Sequence, residues 1–346
     1  MQVAVYEGAR AIRLEERPRL TAAPGQVIVK VKYCGICGTD VHAYQSDGFL
    51  PPGLVLGHET VGTIAEIGEG VEGWEFGERV AVGPPGPCGD CYYCRQGRSA
   101  ICVHAFERTN GLAPGCDGGF AEYVRVRYPR NMLFRLPDQV SFEDAVLLDT
   151  IAVALRGVRQ SRFRIGDNVV VTGAGAIGVS VLQFLRLGGA RHITVLEPSE
   201  KKRALALAHR ADMALNPLEQ GTALKEKIIS AYGGIGADVA FECAGVPASF
   251  QTALDLVKGG GQVMVLGVSE KQTPIVPAEL IVRETEIKAS LAYAEEDVRI
   301  CLDYLANRKF NPAGMVSDII RLDKIVERGF ERLVTTKDLV KIVVAP

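Results

Sequence analysis

The sequence predicts two units of different class, an irregular all-β unit and a doubly wound α/β unit on a parallel sheet. Three observations lead there. Up to about residue 150 the chain is rich in Gly and Pro, with short apolar runs of β type. Beyond Gly166, apolar strands alternate with helical segments. Near Ser141 the pattern shifts between the two, from a strand-like period to a helical one. A chain of 346 residues also exceeds one ordinary core. The expected first unit covers 1–152 and 293–346, and the second covers 153–292.

Taken in order, 27–32 (VIVKVK), 60–67 (TVGTIAEI) and 122–126 (EYVRV) read as strands, punctuated by PPG, GEG and GPPGP. From Ser141, SFEDAVLLDTIAVALRGVRQ is apolar at helical spacing, with Ser141 placed as N-cap and Asp144 three residues on. VVVTGAG reads as a strand leading into a helix through Leu187, and HITVLEP as the next strand. KKRALALAHR reads as a helix, and DVAFECAG and QVMVLGV as further strands. Strands alternating with helices call for a parallel sheet covered on both faces. From about Tyr293 the chain reads as helix, loop and a terminal strand, VKIVVAP.

Composition excludes several function classes. A net charge of −2 and a pI near 6.3 leave no basic surplus for nucleic acid or an anionic membrane. The start, MQVAVYEGARAIRLEERP, has no basic segment followed by an apolar one, so no secretory signal is expected and a cytoplasmic location is. The uncharged stretch 169–185 approaches the length of a membrane span. Its glycines and its change of period fit a buried strand followed by a buried helix better. Nine cysteines without a secretory signal argue against a disulfide framework. Their spacing is more informative.

Cys88, Cys91, Cys94 and Cys102 stand as C-x2-C-x2-C-x7-C. Four thiolates this close can close a tetrahedral shell around Zn²⁺, and a closed shell is structural because no position stays open for substrate. Spacing alone also allows an iron–sulfur cluster. A polar Gly/Pro-rich loop without an apolar shield suits zinc better.

A second constellation could hold a catalytic metal. YCGICGTDVH places Cys37, Thr39, Asp40 and His42 together, and LGHETVG adds His58 and Glu59. Open zinc sites use three protein ligands and keep the fourth position for water or substrate. Cys37 and His58 are candidate ligands, with Glu59 and Asp149 as candidates for the third. Alone, each would read as ordinary packing; together, between Gly-rich turns, they point to a metal. Asp40 ranks lower, as a turn residue or an anchor behind a ligand.

Gly173, Gly175 and Gly178 form G-x-G-x-x-G after an apolar strand and at the start of a helix. A second strand follows and leads to Glu197, 19 residues after Gly178. In that context the motif is a dinucleotide fingerprint. Gly173 permits the tight turn, Gly175 lets the backbone approach the pyrophosphate, and Gly178 allows close helix–strand packing. Glu197 would accept hydrogen bonds from the adenosine ribose and repel a 2′-phosphate, which favours NAD over NADP. Lys201, Lys202 and Arg203 follow closely and weigh the other way.

The stretch 57–71, GHETVGTIAEIGEGV, resembles the signature of the zinc-dependent medium-chain alcohol dehydrogenases. CGICGTD is similar to that family's first ligand segment, and the four-cysteine loop to its structural zinc lobe. The resemblance runs along essentially the whole chain. It implies a GroES-like irregular β-barrel catalytic domain and a Rossmann domain, with two zinc ions per chain. By the same resemblance Cys37, His58 and Asp149 are ligands, and Glu59 is a neighbour able to enter the shell. Thr39 would hydrogen-bond the alcohol oxygen and His42 would pass the proton to solvent. Ala176 and Ile177 would meet the pyrophosphate and Lys202 the ribose. ECAG with Cys243, LGV with Leu266, Gly267 and Val268, and SLA with Leu291 resemble cofactor-lining strand ends.

The residue types suit the chemistry. Oxidising an alcohol needs loss of a hydroxyl proton and of a hydride, and Zn²⁺ lowers the hydroxyl pKa. A Thr hydroxyl accepts and donates, and a His titrates near neutrality, so the two can form a relay. Asp149 resembles bacterial secondary-alcohol dehydrogenases, with a polyol, sugar or cyclitol dehydrogenase as the alternative. The partners implied are a small alcohol or ketone and further copies of the chain, as a dimer or tetramer. A non-catalytic, ligand-sensing use of the fold is a third reading. Thr150, Phe49 and Tyr293 are expected near the substrate. Cys34, Cys116, Cys243 and Cys301 have no argued metal role and read as small buried hydrophobes.

Overall fold

Strand Val27–Gly35 organises the first unit of the computed structural model, which describes residues 1–83, 86–221 and 223–346. Pro84 and Pro85 of the GPPGP breaker lie outside the described residues. This unit comprises Met1–Asp149, Ala292–Lys337 and Lys341–Pro346. Val29 and Val31 point inward while Lys30 and Lys32 point to solvent, the alternation of a half-buried strand. Antiparallel partners flank it: Glu59–Ile67, Tyr123–Val126 and, at its C-terminal end, Ile342–Ala345. Glu59–Ile67 continues the sheet to Arg79–Val82 and on to Leu133–Arg135. A second small sheet sets Gln2–Gly8 between Ala11–Glu16 and Leu54–Val55.

Register has a consequence at Gly35, which stands opposite both Glu59 and Val343. A Cβ there would overlap the Glu59 carboxylate, so glycine is needed for that side chain to lie flat against the strand. The tail thereby brings Lys341 to the start of Glu59–Ile67.

The helical stretch from Ser141 is two helices, Phe142–Ala145 and Leu148–Gln160. Ser141 Oγ accepts from the Asp144 N–H at 3.0 Å, so the cap is as expected. Leu147 N then bonds back to Asp144 O, three residues away, and that tight turn ends the first helix. The break sets Asp149 in the first turn of the second helix, where the dipole favours a carboxylate. Near the C-terminus a strand, Asp318–Arg321, occupies what reads in sequence as loop. It has four residues and pairs only with the terminal strand, too little for a period-2 signal.

The second unit, Thr150–Leu291 with Asp338–Val340, is built on six parallel strands. Their spatial order is Met213–Leu215, His192–Leu196, Asn168–Thr172, Ala237–Glu242, Val257–Val265 and Glu286–Ala289. Val169, Val170 and Val171 are all buried, as both-face coverage requires. Leu224, Ile228, Ala253 and Leu254 pack with Val170 and Val263 in one of its cores. The direction of winding reverses between Asn168–Thr172 and Ala237–Glu242, and open sheets bind ligands at the carboxyl ends beside such a point. Residues 169–185 are strand and helix, and no helix among the described residues is long and apolar enough to cross a membrane.

Candidate metal centres and dinucleotide site

The four cysteines converge. Their sulfurs lie within 4.8 Å of one another, with Cys88–Cys94 at 4.0 Å, Cys91–Cys102 at 3.8 Å and Cys88–Cys102 at 3.6 Å. A Zn–S bond of about 2.3 Å in a tetrahedron demands sulfurs about 3.8 Å apart. Backbone N–H groups of Cys88, Cys91 and His104 point at these sulfurs from 3.3 to 3.4 Å and favour thiolates. The N–H of Cys94 does the same for Cys91, whose thiol is drawn down to about 6. The donor set fits one tetrahedral soft-ligand cation.

The second set is looser. Among the described residues only the four cysteines close to that spacing, so Cys37, His58 and Asp149 are not drawn together as tightly. Cys37 is the N-cap of helix Gly38–Gln45, and its N–H donates to Asp40 Oδ2 at 2.9 Å. Asp40, fully buried, turns Oδ1 toward His58 Nδ1 at 3.6 Å, just beyond hydrogen-bond reach. Neither atom has a hydrogen-bond partner among the described residues. Burial opposes a charge on His58, yet Asp40 and Cys37 outweigh it and raise its pKa above the ordinary imidazole range. An imidazole aimed this way at a carboxylate keeps Nε2 for a metal.

Asp149 belongs to the same unit. Burial, then Glu59 beside it, pushes its carboxyl up to about 6, while the Tyr293 hydroxyl hydrogen-bonds it. Tyr293 is itself buried, and both line a small cavity with Glu59, Val82 and Phe134. Lys341, 4% exposed, donates to both Glu59 oxygens at 2.6 Å. Cys37, Asp40, Glu59 and Asp149 therefore gather potential donor groups around His58, with Lys341 committed to Glu59. A divalent cation is the species that such a donor set accommodates.

Thr39 and His42 lie three residues apart on helix Gly38–Gln45 and so share a face. Thr39 Oγ1 is 3.8 Å from Cys37 Sγ, and the half-exposed His42 ring rests against Phe49 with centroids 5.8 Å apart. Cys34, Cys116 and Cys301 are buried, and Cys116 is so despite its Gly-rich loop. Lys341 and Asp40 are the site residues that sequence reasoning missed or ranked low. Lys341 had no local signal at all.

In the second unit Gly173 adopts φ +92°, and a Cβ on it would crowd Ala244 at 3.0 Å. A Cβ on Gly178 would overlap the Gly173 carbonyl. Gly175, the N-cap of helix Ala176–Leu187, faces open space, so its backbone and the first N–H groups of Ala176 and Ile177 can be approached. Cys243, Leu266 and Gly267 sit at the ends of their strands, with Leu266 N and Gly267 N both bonded to Glu242 O. Val268 and Leu291 expose 51% and 63% of their surface. Glu197 accepts from Ala174 N through Oε2 and from Ser199 N through Oε1, each at 2.9 Å. A carboxylate has about four acceptor sites, so two remain for ribose hydroxyls. Arg203 is spent on the carbonyls of Glu197 and Pro198, and Lys201 pairs with Asp338 at 3.8 Å. Lys202 is half-buried, and its N–H donates to Ser199 Oγ. The cradle fits a dinucleotide.

Residues 23–138 match the alcohol dehydrogenase GroES-like domain and residues 176–307 the zinc-binding dehydrogenase domain. The chain is 32% identical to (R,R)-butanediol dehydrogenase of Bacillus subtilis (strain 168) over 358 residues, covering all of both chains. The crystal structure of 2R,3R-butanediol dehydrogenase from Bacillus subtilis superposes with a TM-score of 0.88 at 32% identity, covering 100% of this chain and 99% of that one. Sorbitol dehydrogenase of the same strain is 29% identical over 352 residues, covering 100% of this chain and 97% of its own. A putative zinc-binding dehydrogenase from Sinorhizobium meliloti 1021, bound to NADP, matches at TM-score 0.88 and 30% identity over 100% and 99% of the two chains.

Proposed function

The chain belongs to the zinc-dependent medium-chain alcohol dehydrogenases, and we propose that it oxidises a small secondary alcohol to a ketone with NAD, using two zinc ions per chain. Zinc-dependent alcohol–carbonyl oxidoreduction follows from membership of the family. The observation that carries the site assignment is the grouping of the buried His58 with the half-buried Cys37 and Asp149, backed by the buried Asp40. In this reading those three residues hold the catalytic ion, and Cys88, Cys91, Cys94 and Cys102 hold the second.

Zinc, when bound, supplies the Lewis acidity that eases removal of the hydroxyl proton, and the nicotinamide accepts the hydride. Thr39 Oγ1 would accept the hydroxyl proton as its own proton is handed on, and His42, on the same helix face, would take up a proton from that route and release it to solvent. Asp40 orients His58, and Tyr293 orients Asp149 through its O–H. Lys341 restrains Glu59, so that this carboxylate joins the ligand set only by giving up an ion pair. The exposed apolar groups of Val268 and Leu291 are surfaces that a bound cofactor covers.

A polyol, sugar or cyclitol substrate is the second reading, favoured by the similarity to sorbitol dehydrogenase. NAD reduction across secondary alcohols, vicinal diols and sugar alcohols separates the two; a kcat/KM highest on sugar alcohols selects the second. Homo-oligomerisation completes the proposal. Helix Pro277–Arg283 exposes Ile281 and Val282 beside the edge strand Glu286–Ala289, and unpaired edges with apolar neighbours invite a second copy. A monomeric mass by light scattering contradicts it.

A further inference from the structure

We propose that Asp338 is a second acidic determinant of cofactor choice, acting beside Glu197 to exclude a 2′-phosphate. The proposal rests on the NAD reading above and deepens it. Asp338–Val340 belongs to the dinucleotide-binding unit, although the residues on either side belong to the other. This short visit brings a carboxylate to the N-terminus of helix Glu200–Ala208.

Three groups there could recognise a 2′-phosphate: the helix N-terminus itself, the Ser199 hydroxyl and the Lys201 ammonium. Helix N-termini attract phosphate through their unpaired N–H groups and dipole. Each of the three is turned to another use. Ser199 Oγ accepts from Lys202 N at 3.3 Å and so caps the helix. Its hydroxyl proton goes to Asp338 Oδ1 at 2.7 Å. Lys201 Nζ lies 3.8 Å from Asp338 Oδ2. Ser199 N, in turn, donates to Glu197 Oε1. Glu197, Ser199 and Asp338 thus form one linked chain of groups with a carboxylate at each end.

The consequence for the two cofactors differs. Ribose hydroxyls are donors and can use the free acceptor sites of Glu197. A 2′-phosphate brings about −1.5 to −2 charges and needs donors. At this position it meets two carboxylates and finds the Ser199 proton already given away. Glu197 alone would repel it; Asp338 in addition engages the Ser199 hydroxyl and the Lys201 ammonium, two groups that could compensate. Lys201 and Arg203, each committed to another partner, therefore do not make the site one for NADP.

The experiment is equilibrium binding by calorimetry of 5′-AMP and of 2′,5′-ADP to the zinc-loaded wild type and to Asp338→Asn and Asp338→Ser. Exposed charges contribute little singly, but a freed donor to a charged phosphate adds more, so together they shift affinity on the order of tenfold. Asp338→Asn is expected to bind 2′,5′-ADP about tenfold more tightly than the wild type does, with 5′-AMP within twofold. Adding Lys201→Ala should cancel part of the gain, and raising the salt concentration should shrink it. If either Asp338 variant, folded by circular dichroism, changes the two ligands in parallel or leaves both unchanged, the proposal is overturned. If instead the wild type already prefers 2′,5′-ADP, the NAD reading itself fails, which is a separate outcome.

Discussion

Lys341 and Glu59 show how one residue pair constrains a site. The ammonium and the carboxylate are both buried, 282 residues apart in sequence, and joined by two 2.6 Å hydrogen bonds. Removing one partner of such a pair leaves the other charged and unpaired, which costs about 3–5 kcal/mol. Lys341→Met is therefore expected to lower stability by about that amount in urea unfolding, and Lys341→Arg by clearly less. Equal losses would place the effect in packing and not in charge. His42→Ala tests the relay at the same scale. Its turnover should fall most at low pH, where unassisted loss of the hydroxyl proton is hardest, and an unchanged pH profile argues against it.

The same pair marks where sequence reasoning stops. Cys88, Cys91, Cys94 and Cys102 are legible because their partners lie within one loop, and the glycine motif because each Gly has a local geometric task. Lys341 gives no such signal, since nothing near it in sequence predicts that strand Ile342–Ala345 pairs with Cys34 and Gly35. Asp40 reads as a turn residue until the fold sets it against His58. Tyr293 is expected near the substrate, and its contact with Asp149 becomes visible only with the fold.

Among the elements, the strand–turn–helix at Gly173–Gly178 is the most sterically determined. Gly178→Ala would drive its new methyl into the Gly173 carbonyl and displace the helix from the strand. Loss of dinucleotide affinity with a lowered melting temperature is expected, whereas Gly175→Ala, facing open space, should leave the melting temperature within a degree or two and weaken only binding. Identical melting behaviour of the two would contradict these roles. The interrupted helix after Ser141 is a second case. Its periodicity is continuous in sequence, so the break was not legible, yet the break is what puts Asp149 in a first turn.

An acid-sensitive link lies in the second unit. Asp212 loses solvation on burial, but the Ile193 N–H, at 2.7 Å, and Arg186 more than offset that and hold its pKa below the usual carboxylate value. A depressed folded-state pKa stabilises at pH above the unfolded value of about 3.9, and the contribution vanishes as pH falls through the folded value. Asp212→Asn should lower the melting temperature near neutrality and flatten its decline below about pH 4. An equally steep acid decline in the variant removes Asp212 from the account.

For the whole molecule, the proposed site residues divide between the two units, so their tasks should be separable. Cys37, His58 and Asp149 belong to one compact unit and Gly173, Gly175 and Glu197 to the other. Metal content and cofactor affinity should therefore respond to different substitutions: a variant of the glycine loop keeps its zinc, and a variant of Cys37 keeps its affinity for NADH. The most direct measurement is the zinc content and alcohol-dependent NAD reduction of Cys37→Ser beside the wild type. Two zinc ions per chain in the wild type, one in the variant, and turnover abolished with NADH binding intact is the predicted result. A variant that still oxidises alcohol, or that still holds both ions, contradicts the assignment of Cys37 to the catalytic centre.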